Sequence, residues 1–254
     1  ANKLEGQMPI EECGNMLVMA AAVCLADREA DFAKEHWEML TRWANYLLEF
    51  GLDPANQLCT DDFAGHLAHN ANLSIKAIMG IASYSMLCGM LGDSGEANRY
   101  MEAARGMARQ WEALAAEEDH YKLAFNQEGT WSLKYNLVWD ILFGTHIFSK
   151  SIAEKEVAWY IRKQNRYGVP LDSRKAYTKS DWLVWAAALT TNQADFDKLI
   201  EPLWRSLHET RDRVPFTDWY DTETGDKVGF QHRSVVGGIY IQLLRKQWEA
   251  NAQG

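Results

Sequence analysis

The chain has 254 residues, enough to bury a large core at the upper edge of single-domain size. Its 35 acidic and 26 basic side chains leave a formal charge of −9, which argues against nucleic acid and anionic membrane surfaces and suits a small or neutral ligand. No uninterrupted apolar stretch reaches 18 residues, so no membrane span is expected, and Cys13, Cys24, Cys59 and Cys88 lack metal-ligand spacing. The first residue is Ala rather than Met and no signal peptide follows, as in a processed chain or an excised piece.

Residues 13–27 carry Met16, Leu17, Met19, Ala20, Val23 and Cys24 with few polar breaks and read as a buried helix. Residues 31–50 place Phe32, Trp37, Leu40, Trp43, Ala44, Leu47 and Leu48 on one stripe, which predicts a single amphipathic helix stopped by Gly51. The alternation then repeats. Residues 69–91 are apolar and 95–116 amphipathic; 134–147 apolar and 151–165 charged on one side; 180–190 apolar and 194–209 amphipathic. A last apolar helix is expected at 233–250, and residues 219–230, with Asp221 to Gly225 as the turn, read as a β-hairpin.

Buried and amphipathic helices in alternation predict an all-α fold of helical hairpins in two concentric layers, an (α/α)6 toroid short of its twelve helices at the N-terminal side. Long polar connections (50–68, 118–133, 165–180, 210–231) alternate with very short ones, so an antiparallel ring would gather the long ones on one face. A single domain over residues 1–254 is the economical expectation.

Each long connection delivers a polar cluster to a helix start. The candidates for catalysis are Glu11, Glu12, Asp61 and Asp62, since two facing carboxylates serve as general acid and base. The candidates for substrate binding are His66, His69, Asn70, Trp131, Lys134, Tyr135, Asp181, Trp182, Asp218, Trp219 and Arg233. Each has a structural reading beside the functional one. Asp61 or Asp62, and Ser180 with Asp181, would serve as helix N-caps, and Glu11 and Glu12 as first-turn acids favoured by the helix dipole. His66 and His69 sit one helical turn apart, yet no recognised metal pattern surrounds them. Neither metal nor cofactor is expected, and serine-triad, nucleotide and hydride chemistries are disfavoured because their motifs are missing.

Several long strings carry a family resemblance: PIEECGNMLVM at 9–19, GLDPANQLCTDDFAGHLAHNANLSIKA at 51–77, GTWSLKYNLVWD at 129–140, residues 163–185, and RVPFTDWYDTETGDKVGFQHRSVVGG at 213–238. They resemble the helical domain of microbial glutaminase A-type proteins over nearly the whole chain, with departures at Cys13 and His232. The resemblance implies a six-helical-hairpin domain that usually follows a β-rich N-terminal region, its partner in the parent protein. It also implies export to the periplasm or beyond the cell, and hydrolysis of L-glutamine to glutamate and ammonia.

Lys134 or Arg233 would then hold the substrate carboxylate, Asp181 or Asp218 its ammonium, and one of the four catalytic candidates would work on water and the leaving ammonia. The alternatives are a carbohydrate-active enzyme, which the Trp-rich loops suit, and a helical module without catalysis.

Overall fold

The computed structural model describes residues 6–59, 61 and 63–252; Asp62 lies outside the described residues. Ten α-helices, two 3-10 turns and two short strands are found among the described residues. The helices are α1 (Pro9–Asp27), α2 (Asp31–Glu35), α3 (Trp37–Phe50), α4 (Ala71–Met90), α5 (Ser94–Ala115), α6 (Val138–Phe143), α7 (Lys150–Lys163), α8 (Ser180–Ala187), α9 (Gln193–Glu209) and α10 (Ile241–Ala252). The strands are β1 (Tyr177–Lys179) and β2 (Trp219–Asp221), and the 3-10 turns are Tyr135–Leu137 and Ser234–Tyr240. The chain clusters into two compact units.

The first unit comprises Ala1–Ala116, Ala124–Glu128 and Thr145–Phe148. Its centre is α4, buried along nearly its whole length, with α1, α3 and α5 packed on it. The partners are amphipathic as expected: α3 buries Leu40, Ala44 and Leu47, and α5 buries Tyr100, Ala104, Met107, Ala108, Trp111 and Ala115. Glycine sets the closest approach. A Cβ on Gly80 of α4 would stand 3.1 Å from Gly14 Cα of α1, and one on Gly14 would stand 2.7 Å from Lys76 Cγ. By length and mean hydropathy α1 and α4 are each long and apolar enough to cross a membrane, but α4 is buried as a core helix is. The helix expected over 31–50 is broken at His36, whose ψ of 16° leaves the helical range.

The second unit comprises Glu117–Leu123, Gly129–Gly144 and Ser149–Gly254. Here α9 packs on both α8 and α7, burying Leu199, Pro202, Leu203 and Ser206. The helix expected at 134–147 starts as a 3-10 turn because the Lys134 amide donates to Tyr160 Oη (2.7 Å), and Gly144 at φ 64° ends it. The helix expected at 233–250 is also replaced at its start by the 3-10 turn Ser234–Tyr240, where Gly237 and Gly238 weaken α-helical preference. Nor is it buried: Tyr240 and Leu243 are 61% and 60% exposed.

The expected turn at 221–225 forms, with the Gly225 amide donating to Asp221 O and Gly225 at φ 78°. The hairpin pairs across that turn, with a bridge between Tyr220 and Lys227 and the Val228 amide donating to Trp219 O (3.0 Å), and β2 gains a second partner from another loop. β2 pairs antiparallel with β1, matching Tyr177 with Asp221, Thr178 with Tyr220 and Lys179 with Trp219.

Candidate functional site

In the second unit, β1 leads directly into α8, so strand pairing with β2 fixes where the first turn of α8 begins. The Ser180 amide donates to Asp218 O (2.9 Å), which ties that junction to the residue preceding β2. The side chains gathered there are Lys179, Asp181, Trp182, Asp218 and Arg233. Asp218 is fully buried and accepts from Lys179 Nζ and Arg233 Nη2, with Arg233 Nε at 3.3 Å. Burial opposes its ionisation, but the hydrogen bonds from Arg233 and Lys179 outweigh that and hold Asp218 below the usual carboxylate range.

Asp181 behaves in the opposite way. It is buried, its Oδ1 has no hydrogen-bond partner, and burial lifts its pKa to about 6 against the pull of Lys179. A carboxyl titrating there can take and return a proton near neutral pH. Lys179 Nζ also lies 4.9 Å from the ring centroid of Trp182, which stacks on Tyr135 at 4.5 Å with planes 3° apart. Arg233 is partly exposed and carries more donors than Asp218 uses. The cluster thus contains one carboxyl poised to change protonation, one carboxylate held ionised by its two cations, and those two cations.

Sequence reading brought Tyr135, Asp181, Trp182, Asp218 and Arg233 forward, and the structure assembles them. The N-cap reading of Ser180 with Asp181 does not hold, because Lys179 occupies that position and no side chain caps it. Three other candidates of this unit have their own partners, although Trp219 is the ladder partner of Lys179. Trp131 meets Trp159 edge-on at 6.4 Å, and the Trp159 ring stacks on His120 at 4.0 Å. Trp219 packs on Tyr177 and Phe230. Lys134 is fully buried, donates to Tyr121 O, Ser132 O and Ser132 Oγ, and lies 3.7 Å from the buried Glu156. That ammonium is committed to the interior.

The first unit holds a second polar cluster. Glu11, in the first turn of α1, is buried and lies 3.6 Å from Lys76 Nζ, which also donates to Asn15 Oδ1 (2.5 Å). Burial depresses the Lys76 pKa, with Glu11 opposing. Asp61 is buried too, and accepts from Cys59 Sγ (2.9 Å), Asn70 Nδ2 (3.1 Å) and Asn72 Nδ2 (3.3 Å). The α4 N-cap is Asn70, whose Oδ1 accepts from the Asn72 and Leu73 amides, so the capping reading of Asp61 is corrected.

Glu12 is exposed, as a first-turn acid can be. His66 is exposed, while His69 Nδ1 lies 2.7 Å from Asp53 Oδ1. Lys76 and Asn15 escaped sequence reading, although a lone lysine inside the apolar run 71–90 was a visible signal.

Comparison with known proteins gives the family. The family described as the glutaminase A six helical-hairpin domain matches residues 1–243. Glutaminase A of Aspergillus oryzae is 35% identical over 245 residues, 94% of this chain and 35% of that protein. A probable glutaminase of Arthroderma benhamiae is 27% identical over 324 residues, 93% of this chain and 38% of that protein. The chain spans about a third of the length of these curated relatives. Its helical hairpins and the match along almost all of its length agree: the chain belongs to the glutaminase A six helical-hairpin domain family.

Proposed function

We propose that the chain is the helical-hairpin part of a protein that hydrolyses L-glutamine to L-glutamate and ammonia, with Asp181 as the acid–base group. The observation that carries this reading is the buried Asp181 carboxyl, titrating near 6, with an unpartnered Oδ1 beside Lys179 and Asp218. The glutaminase names of two relatives favour the side-chain carboxamide as the bond broken, over a glycosidic one.

The carboxylate of Asp181 takes a proton from water as the water oxygen attacks the carboxamide carbon. The proton then passes to the departing nitrogen as the C–N bond breaks, leaving a carboxylic acid and ammonia, and the acid's proton moves to the ammonia to give carboxylate and ammonium. Arg233 receives the substrate's α-carboxylate. Two cations (Lys179 and Arg233) against Asp218 and the ionised Asp181 leave the cluster neutral in its reactive form, which suits a zwitterionic amino acid. Asp218 is already paired to both cations and orients the guanidinium. Glu11 and Asp61 form the competing carboxylate pair, in which Lys76 beside Glu11 would supply the cation.

We read the hairpins as part of an (α/α)6 toroid, which the six-hairpin description of the family supports. Export from the cell belongs to the same reading, rests on the resemblance, and is checked by cell fractionation. The activity is proposed for the whole protein. Ammonia release from L-glutamine by the full-length, folded protein tests it, alongside Asp181→Asn, Glu11→Gln and Asp61→Asn. A loss of about 10²–10⁴-fold in kcat for Asp181→Asn is expected. If Glu11→Gln or Asp61→Asn abolishes turnover and Asp181→Asn does not, the acid–base role moves to the first unit. No ammonia from the wild type removes the glutaminase reading.

A further inference from the structure

We propose that the 3-10 segment Ser234–Tyr240 is a cover seated on Asp181, with Gly238 as its contact point and Trp185 as its latch, and that it keeps bulk solvent from that side chain. The inference rests on Asp181 being the acid–base group; Gly238 and Trp185 are positioning residues that act through it.

The contact is direct. A Cβ on Gly238 would stand 2.9 Å from Asp181 Cβ and 3.1 Å from Trp185 Nε1, so only a residue without a side chain lets the backbone come this close. Trp185 Nε1 donates to Gly238 O (2.9 Å), fixing the segment at the same point. Its leading end is fixed independently, because Arg233 immediately precedes it and is clamped to Asp218. No residue of the segment is itself buried, although Asp181 beneath it is only 4% exposed. The segment therefore lies outermost and shields what lies below. The charged groups facing Asp181 are Lys179 from β1 and Asp218 from the residue before β2, with Arg233 reaching Asp218 from the start of the cover.

Gly237 provides a matched control, since a Cβ there meets nothing within 4 Å. A methyl group at Gly238 must lift the cover, hydrate Asp181 and return its carboxyl toward its ordinary value. The experiment is an infrared pH titration of the intact protein, following the protonated-carboxyl band that Asp181→Asn removes. Gly238→Ala is expected to lower the midpoint by about one pH unit, Trp185→Phe to lower it by less, and Gly237→Ala to leave it in place. If Gly238→Ala does not fold, Trp185→Phe carries the test.

The proposal is overturned if both folded variants titrate at the wild-type midpoint, or if Gly237→Ala moves it as far as Gly238→Ala. The band reports protonation without turnover. Failure of the cover and failure of the glutaminase reading are therefore told apart: an inactive wild type with a shifted Gly238→Ala midpoint sinks only the activity.

Discussion

Lys134→Met tests how strongly the interior of the second unit depends on one ammonium. Lys134 Nζ donates to Tyr121 O at 3.1 Å, Ser132 O at 3.0 Å and Ser132 Oγ at 3.1 Å, and stands 3.7 Å from Glu156 Oε2. Both charged groups are fully buried. Methionine preserves length and packing but removes the charge, leaving Glu156 with the Tyr121 amide (2.8 Å) and the Tyr160 hydroxyl (2.5 Å). Removing one partner of a buried pair costs about 3–5 kcal/mol, because the other charge stays uncompensated. With a urea dependence of about 3 kcal/mol per molar, the unfolding midpoint of this unit falls by about 1–2 M.

Burial raises the Glu156 pKa, and Lys134 is the strongest influence against that rise. Losing the lysine pushes the carboxyl up further. The folded variant then binds a proton more readily than the unfolded chain, so its deficit is smallest below the ordinary carboxylate range. The deficit grows as pH rises through the shifted value. Adding Glu156→Gln removes the stranded charge and should recover about 2 kcal/mol. Urea melts at two pH values decide the matter. A Lys134→Met variant within about 1 kcal/mol of wild type, or no recovery in the double variant, would refute the reasoning.

Four other predictions rest on individual residues. If Asp181 must be ionised to accept a proton from water, glutamine turnover should fall as pH drops below about 6, a limb read from the pH dependence of kcat. Gly80→Ala places a Cβ 2.8 Å from Leu47 Cδ1 and 3.1 Å from the Gly14 backbone; overpacking of about 1–3 kcal/mol should exceed the roughly 1 kcal/mol gain in helix propensity and lower Tm. Gly89→Ala meets only Ala97 Cβ at 3.9 Å and should raise Tm. Asn70→Ala loses the α4 cap and a donor to buried Asp61, a cost of about 1–2 kcal/mol by chemical denaturation; Asn70→Asp keeps a cap but sets a second carboxylate beside Asp61, and should not rescue it.

The long helices were legible because α3, α5 and α9 repeat their apolar residues at helical spacing, and α1 and α4 are apolar nearly throughout. The breaks were not. His36, the turn at Tyr135–Leu137 and the turn at Ser234–Tyr240 all lie inside apolar patterns that continue through them. Asp181, Asp218 and Arg233 stood out as polar residues at or between helix starts, and they do meet. Lys134 looked equally available by the same criterion. What commits it to the interior is Glu156, Tyr160 and two carbonyls, partners that local pattern cannot reveal. The pairing of β2 with β1 was hidden for a similar reason: each strand has three residues, too few to carry an alternation signal.

That strand pair has a consequence for how the protein is made. Lys179 and Trp219 are joined across the whole of α8 and α9, so their ladder closes a long loop that a nascent chain cannot close early. As translation proceeds, α8 and α9 can coil as soon as they emerge, but the Asp218 clamp waits for Arg233 to leave the ribosome. Until then only Lys179 can pair with Asp218, and this corner of the fold is completed only after the chain has passed α9 and β2.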